Sequence, residues 1–474
     1  MNPLEDYLRQ LRDIHGSGAR VPETSYYPAL SNLLNSIGAT LKPKVRCIIN
    51  PANQGAGIPD GGLYTPDQFP KSGHTDPLPG TKPSRGAIEA KPVKDDAWFT
   101  AEGKQVTKYW GAYRQVLVTN YRDFLLVGSD TEGNPELLDH YRLAANEKAF
   151  WAAASKPQIL AKEHAERFTE FLKRAMLHAA PLITAKDLAW YLASYAREAR
   201  ARVESHKLDA LDALRHALEE TLGVKFEGDD GDHFFRSTLV QTLFYGVFSA
   251  WVVWSRDHSH ADRKVRFDWR VTQFFLRVPV LRVLFNQLAE PGKLDELRLS
   301  EVLDWAGAAL NRVDRAAFFD GFQEQLAVQY FYEPFLEAYD PDLRKQLGVW
   351  YTPREIVQYM VARVDAVLRE ELNLADGLAD RNVYVLDPCC GTGAYLVEVL
   401  KKIAETLKLK GGGALTAQEV KRAALERVFG FELLPAPFVI AHLQLGLTLR
   451  EIGAPLSDKK KERAGIFLTN ALTG

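Results

Sequence analysis

Two groups of residues in this 474-residue chain have the types and spacing to do chemistry. The first is Asp60, closing Gly57-Ile-Pro-Asp60, followed by Glu89 and Lys91 in Arg85-Gly-Ala-Ile-Glu-Ala-Lys91. Residues two apart on a strand point to one face, so Glu89 and Lys91 belong together. Asp60 is expected to end the preceding strand and meet them. Two carboxylates suit a hard cation such as Mg2+. A lysine beside them can steer an attacking water or stabilise charge building on a phosphate. Downstream, Gln105 and Tyr109 are four apart and share one helical face. Upstream, Glu23 opens an amphipathic helical run over 23–30, and its acid is a further ligand for the metal site. Residues 63–85, with Pro66, Pro70, Pro77, Pro79 and Pro83, read as a long, mobile hairpin loop.

The second group is Val385-Leu-Asp-Pro-Cys-Cys-Gly-Thr-Gly-Ala-Tyr-Leu396. An apolar run ends in Asp387, a turn follows through Pro388, Gly391, Thr392 and Gly393, and a helical pattern starts near Ala394. A doubly wound sheet offers such a strand-to-helix turn to a nucleotide-like ligand. Glycines let the backbone approach that ligand, and the helix N-terminus favours an anionic group nearby. The spacing is neither the Gly-x-Gly-x-x-Gly of nicotinamide enzymes nor a phosphate loop, since no Gly-Lys-Ser/Thr follows.

Those groups need scaffolds. Residues 116–127 read as a strand, a turn at Asn120 and a second strand. The middle, from about 157 to 343, is helical, with apolar residues at three- and four-residue spacing over 163–177, 185–222 and 318–332. Gly228-Asp-Asp-Gly-Asp232 reads as a break. Residues 237–254 carry no charge for 18 residues, long enough to raise a membrane span, yet Ser237, Thr238, Gln241, Thr242 and Ser249 favour a buried helix. His258 and His260, with Asp257 and Asp262, read as a polar loop rather than a metal site. The aromatics Phe318, Phe319, Phe322, Tyr330, Phe331, Tyr332 and Phe335 read as core.

A net charge of -2 offers no overall basic field to nucleic acid, so any basic surface is local. Arg354, Arg363, Lys401, Lys402, Lys408 and Lys410 could form one, whereas Lys459-Lys-Lys461 reads as a solvated loop. Three cysteines, Cys47, Cys389 and Cys390, show no zinc spacing and suit reduced thiols in a cytoplasmic setting. The N-terminus lacks the pattern of a signal peptide.

Asp387-Pro-Cys-Cys-Gly-Thr-Gly393 resembles the first motif of S-adenosylmethionine-dependent, adenine-specific DNA methyltransferases of restriction–modification systems. Leu347-Gly-Val-Trp-Tyr-Thr-Pro353 is similar to the segment preceding that fold. The resemblance places Tyr351, Thr352 and Pro353 over the methionine end of the cofactor. It places Glu432, in Gly430-Phe-Glu-Leu-Leu434, on the ribose hydroxyls, and Asn470, in Ile466-Phe-Leu-Thr-Asn-Ala-Leu472, at the adenine edge. Glu432 follows Asp387 by more than the roughly 20 residues of a simple unit. The excess is a lysine-rich helix and Gly411-Gly-Gly413, read as an inserted helix and loop. The family's Asn/Asp-Pro-Pro-Tyr/Phe tetrapeptide, which holds the flipped adenine, does not occur in these residues, so the chain alone is expected to lack methyl transfer.

The front, from Glu23 to Val127, resembles the nuclease domain of type ISP and single-chain type II restriction–modification proteins, with Asp60, Glu89, Lys91, Gln105 and Glu23 as its site and Mg2+ at Asp60 and Glu89. The expected fold class is α/β: a restriction-endonuclease-like domain over 1–156, an α-helical connector over 157–343, and a partial Rossmann-like methyltransferase domain over 344–474. The expected function is adenine methylation joined to Mg2+-dependent cleavage of DNA, with a partner chain or a missing C-terminal half supplying the target-base motif, and no membrane. Two alternatives stand beside it: a non-catalytic truncated module that binds S-adenosylmethionine or DNA and needs a partner chain for the missing catalytic motif, and a methyltransferase whose nuclease has lapsed into a DNA clamp.

Overall fold

Alternation of side chains along six short strands orders the first of two units, Met1–Pro181. The computed structural model describes residues 2–18, 24–70, 76–129, 134–180, 182–204, 212, 215–216, 219, 225–258, 265–275, 294, 297–321, 331–341, 352–411, 415–457, 460 and 462–472. Helices α1 (Pro3–Gly16) and α2 (Tyr27–Gly38) lead into β1 (Arg46–Ile49), β2 (Gly61–Tyr64) and β3 (Ala87–Ala90). Then come α3 (Ala97–Ala101), α4 (Lys104–Tyr113), β4 (Val116–Thr119), β5 (Asp123–Ser129), β6 (Pro135–Arg142), α5 (Glu147–Ala154) and α6 (Pro157–Leu177). The sheet runs β1-β2-β3-β4-β5-β6, and only β3 and β4 are parallel. The expected strand, turn and strand over 116–127 are β4, a bend at residues 120–122, and β5.

Ile88, Ala90, Leu117, Phe124 and Leu126 fall to one face and pack with Leu8, Leu30, Phe168 and Phe171. Ala87, Val116, Val118, Leu125 and Val127 fall to the other, with Val106, Tyr109 and Trp110 of α4. Period two therefore sets Glu89 on the α4 face, between Ile88 and Ala90. Helix α6 belongs to this unit, one helix beyond the boundary expected at residue 156. The reason is packing: Phe168, Phe171, Leu172 and Met176 are fully buried in the first core.

The second unit, Leu182–Gly474, opens with helices. These include α7 (Ala185–Glu204), α8 (Gly228–Asp257), α9 (Leu299–Asn311) and α10 (Glu333–Tyr339). Gly228–Asp232 is not a break but the opening of α8. The stretch Gly231–Asp257 is long and apolar enough to cross a membrane by length and composition, yet its apolar window is wholly buried inside the protein. Its polar groups bond within the unit, as Ser237 Oγ does to Asp340 Oδ2 at 3.0 Å and Thr242 Oγ1 to Thr238 O at 2.8 Å. Phe318, Phe331, Tyr332 and Phe335 are core, as expected; Phe322 and Tyr330 lie outside the described residues. His258 stacks on Trp254, and His260 and Asp262 also lie outside the described residues.

The remainder is α11 (Arg354–Glu370), β7 (Val385–Asp387), α12 (Ala394–Leu409), α13 (Leu415–Glu426), β8 (Val428–Glu432), α14 (Pro435–Glu451) and β9 (Gly465–Leu468). The three strands are parallel in the order β7-β8-β9. The extra length between Asp387 and Glu432 is α13, which buries Val420, Ala423 and Ala424.

Candidate functional site

In the first unit the structure brings Asp60, Glu89, Lys91, Gln105 and Tyr109 together. Asp60 does not end a strand, as the sequence suggested; it stands immediately before β2. Strand β2 runs antiparallel to β3, so its entrance lies beside the exit of β3. Asp60 Oδ2 accepts the amide of Ala90 at 2.7 Å, next to Glu89. Gly61 eases the close pairing of β2 with β3, because a Cβ there would stand 3.0 Å from Ile88 Cδ1.

Glu89 is 1% exposed, and a carboxylate buried so deeply needs partners. Lys91 Nζ lies 2.6 Å from its Oε1, and Gln105 Nε2 lies 3.4 Å from its Oε2. Gln105 also donates to Tyr109 Oη at 3.1 Å, and Tyr109 donates to Ile58 O at 2.9 Å. Burial pushes the Tyr109 phenol above its ordinary range; the Gln105 bond opposes this, while the charges of Glu89 and Asp60 add to it. The proline-rich connection after β2 is tied down where it is described. Gln68 donates to Lys82 O at 2.6 Å and accepts from Ser84 N at 3.2 Å. Glu23 lies outside the described residues. Among the described residues no group of three or more His, Cys, Asp or Glu gathers as a metal site; Asp60 and Glu89 stand as two carboxylates.

One residue here escaped the sequence reading. Tyr27, at the start of α2, donates to Asp60 Oδ1 at 2.6 Å. Its signal was the paired Tyr26-Tyr27 in the run where only Glu23 drew notice.

In the second unit the glycine turn sits at the carboxyl ends of parallel strands, where open α/β sheets take ligands. Asp387 Oδ1 accepts Cys389 N at 3.1 Å. Cys390 N donates to Phe431 O at 2.9 Å, tying the turn to β8. Gly391 and Gly393 have φ of 55° and 86°, a region that favours glycine. A Cβ on Gly393 would meet Leu445 Cδ1 at 3.1 Å and Ala441 Cβ at 3.2 Å, whereas one on Gly391 would meet nothing within 4 Å. Gly393 lets α14 close on the turn; Gly391 faces open space. Pro388 is exposed and Thr392 is half-buried.

Glu432 ends β8 and is 8% exposed. Its Oε2 accepts Gly391 N at 2.9 Å and its Oε1 accepts Leu434 N at 2.7 Å. The sequence reading placed Glu432 on the ribose; in the structure its carboxylate braces the turn. Burial pushes both carboxyls up, Asp387 against the opposing Cys389 amide and Glu432 against the Leu434 and Gly391 amides. Gly430, in the same motif as Glu432, admits the turn, since a Cβ there would stand 2.6 Å from Leu396 Cδ1 and 3.0 Å from Cys390 Sγ.

Asn470 follows β9, and its Oδ1 accepts its own Leu472 N at 2.9 Å. Thr352 and Pro353 lead into α11, which reaches α12 where Tyr395 Oη stands 3.0 Å from Met360 Sδ. Among the described residues no hydrogen bond joins Thr352 or Pro353 to the turn, and Tyr351 lies outside them. Much of the expected basic surface is paired with acids: Arg363 with Glu371 at 3.6 Å, Lys402 with Glu405 at 2.9 Å, and Lys410 with Asp376.

Solved structures similar to the chain include the DrdV–DNA complex, determined by electron cryomicroscopy. It shares 21% identity over 99% of this chain and 40% of its own, with a TM-score of 0.41. The ATP-dependent Type ISP restriction–modification enzyme LlaBIII, bound to DNA, shares 17% identity over 70% of this chain and 23% of its own, with a TM-score of 0.37. The type IIG restriction endonuclease BpuSI shares 10% identity over 94% of this chain and 42% of its own, with a TM-score of 0.25. The chain spans less than half the length of each, and at these scores the likenesses carry no argument. Among curated proteins, none matches the chain. Residues 325–463, which hold the glycine turn and both of its carboxylates, match the family described as N-6 DNA Methylase, and over that segment the resemblance to N-6 DNA methylases is shown.

Proposed function

We propose that the second unit binds S-adenosylmethionine at Asp387–Gly393 and that the first unit cleaves DNA with Mg2+, as the two activities of a restriction–modification protein. The observation that carries the first half is the turn itself. Within the segment that matches the methylase family, two half-closed carboxylates and an open Gly391 face one another at the end of a parallel sheet. The family implies S-adenosylmethionine as methyl donor, and the residues fit it. Gly391 leaves room where a side chain would intrude, and Asp387 and Glu432 each retain acceptor capacity for the donor's amine and hydroxyl groups. When bound, that cofactor supplies an activated methyl group, and adenine is the proposed acceptor. The chain's own residues bind and orient it: Gly393 fixes the bend, Glu432 holds the Gly391 amide in place, and Asn470 stands at the end of the neighbouring strand. Tyr351, Thr352 and Pro353 are proposed to cover the methionine end.

For the first unit, Asp60 and Glu89 fit a hard cation as paired carboxylates. That ion would polarise a phosphodiester and its attacking water, Lys91 would offset charge on the phosphate, and Gln105 would hold Glu89 in register. DNA is the proposed partner of both units. Calorimetry with S-adenosylmethionine tests the second unit: heat of binding is expected for the native chain and should vanish in Asp387→Ala. Equal binding by both would remove the site from this turn. A plasmid-cleavage assay with Mg2+ tests the first, and cutting by Lys91→Ala at the native rate would end the nuclease assignment.

A further inference from the structure

Asp60 is held from two directions. Ala90 N reaches its Oδ2, and Tyr27 Oη reaches its Oδ1 at 2.6 Å, a length typical of a hydroxyl donating to an ionised carboxylate. Tyr27 is 6% exposed, and its ring packs in the same core as Leu30 and Leu34 of α2. A phenol has few rotatable bonds, so a ring fixed in a core aims its hydroxyl with little freedom. The donor thus comes from a different element than either carboxylate and is locked by packing rather than by charge. Glu89 is held instead by the charge of Lys91 and by the Gln105 amide. Each carboxylate of the pair therefore arrives already oriented, and Tyr27 is the only side chain seen to orient Asp60 among the described residues.

We infer that Tyr27 is a positioning residue for a divalent cation at Asp60 and Glu89, acting through Asp60 without touching the ion. The inference rests on the nuclease reading. Removing the hydroxyl while keeping the ring leaves Asp60 held by the Ala90 amide alone, and the ion must then order its Oδ1 on binding. That is expected to weaken metal binding about three- to tenfold. The rate of cleavage at saturating metal should change less than the metal concentration needed to reach it.

The test measures Mn2+ binding to the full 474-residue chain by the electron paramagnetic resonance of free Mn2+, in the native protein, Asp60→Asn and Tyr27→Phe. Thermal unfolding by circular dichroism runs alongside as the control for folding. The inference is supported if the native chain binds, Asp60→Asn does not, and Tyr27→Phe binds more weakly with an unchanged melt. Native-like binding by Tyr27→Phe, with Asp60→Asn silent, overturns the positioning role and leaves the nuclease reading standing. No binding by the native chain, or equal binding by Asp60→Asn, takes down the nuclease reading and the inference with it. Should Tyr27→Phe fail to fold, 3-fluorotyrosine placed at position 27 reports in its stead. Its 19F resonance should shift on adding Mg2+, and a resonance that stays put overturns the role.

Discussion

The two carboxylate pairs solve the same problem in opposite ways. Asp60 and Glu89 are held mainly by side chains from separate elements: Tyr27 of α2, Lys91 just after β3, and Gln105 of α4. Asp387 and Glu432 are held by backbone amides of the turn that they help to shape. Side-chain donors place an ammonium directly beside the first pair. Amide donors make the second pair part of the backbone's own geometry. The first site should therefore fail through loss of single side chains, and the second through changes in shape.

The largest effect expected from this contrast is at Lys91. Lys91→Ala removes the cation 2.6 Å from Glu89 and leaves that carboxylate buried with less compensation. Cleavage should fall about 10²–10³-fold, the range for deleting one group that stabilises transition-state charge. Single-turnover cleavage of a DNA substrate measures it, and a loss under tenfold would deny Lys91 that role.

In the second unit, shape decides. Gly393→Ala forces a Cβ into Leu445 and Ala441 at a φ of 86° and should destabilise the fold by about 1–3 kcal/mol. Gly391→Ala meets no neighbour, so it should cost only about 1–2 kcal/mol for its left-handed conformation yet abolish binding of S-adenosylmethionine. Paired denaturant melts and calorimetry separate the two glycines. If Gly391→Ala binds normally, the open space above it is not where the ligand lies.

These contrasts show what the sequence could convey. The glycine turn, Glu432 and the Glu-x-Lys pair were legible because a fixed spacing carries each: a tight bend, a strand end, two residues on one face. Helix α8 was legible because 18 uncharged residues with scattered hydroxyls cannot face water. Tyr27 was not, because its partner Asp60 lies 33 residues away and only folding brings them together. The place of Asp60 before β2 was misread for a related reason: Pro-Asp signals a turn but not which strand it serves. The bracing of the turn by Glu432 was hidden because a strand-end acid looks the same whether it faces a ligand or its own turn. Helix α6 was assigned to the connector because its amphipathic pattern does not say which core it covers.

A smaller effect concerns protonation at the turn. Burial raises both Asp387 and Glu432. Acceptor oxygens are needed for the ligand's donors, so affinity is present above those raised values and lost as pH falls through them. The decline should thus begin above the ordinary carboxylate range. Glu432→Gln places a donor against the Gly391 or Leu434 amide and should weaken binding by about 1–3 kcal/mol while flattening this pH dependence. Calorimetry across mildly acidic pH checks both outcomes. A decline confined to the usual carboxylate range would mean that the ligand does not depend on these two groups.

The mildest expected effect is on stability, at His442 on α14. Burial lowers its imidazole from 6.5 to about 4; the Ile466 backbone opposes the shift, and Arg463 adds to it. Its Nε2 is closed off from water and has no hydrogen-bond partner among the described residues. A folded value below the unfolded one means that the unfolded chain takes up a proton that the folded chain refuses. The contribution is therefore intact above about pH 6.5 and is lost as pH falls toward about 4, with a slope of at most about 1.4 kcal/mol per pH unit. Asp387 and Glu432 act with the opposite sign, since a raised carboxyl favours the folded state once protonated. Denaturant melts of the native chain and His442→Leu across that window isolate the histidine, because the substitution removes its proton uptake and leaves the two acids. A pH dependence identical in both proteins would show that His442 is as basic folded as unfolded, and that water or a neighbouring group reaches Nε2.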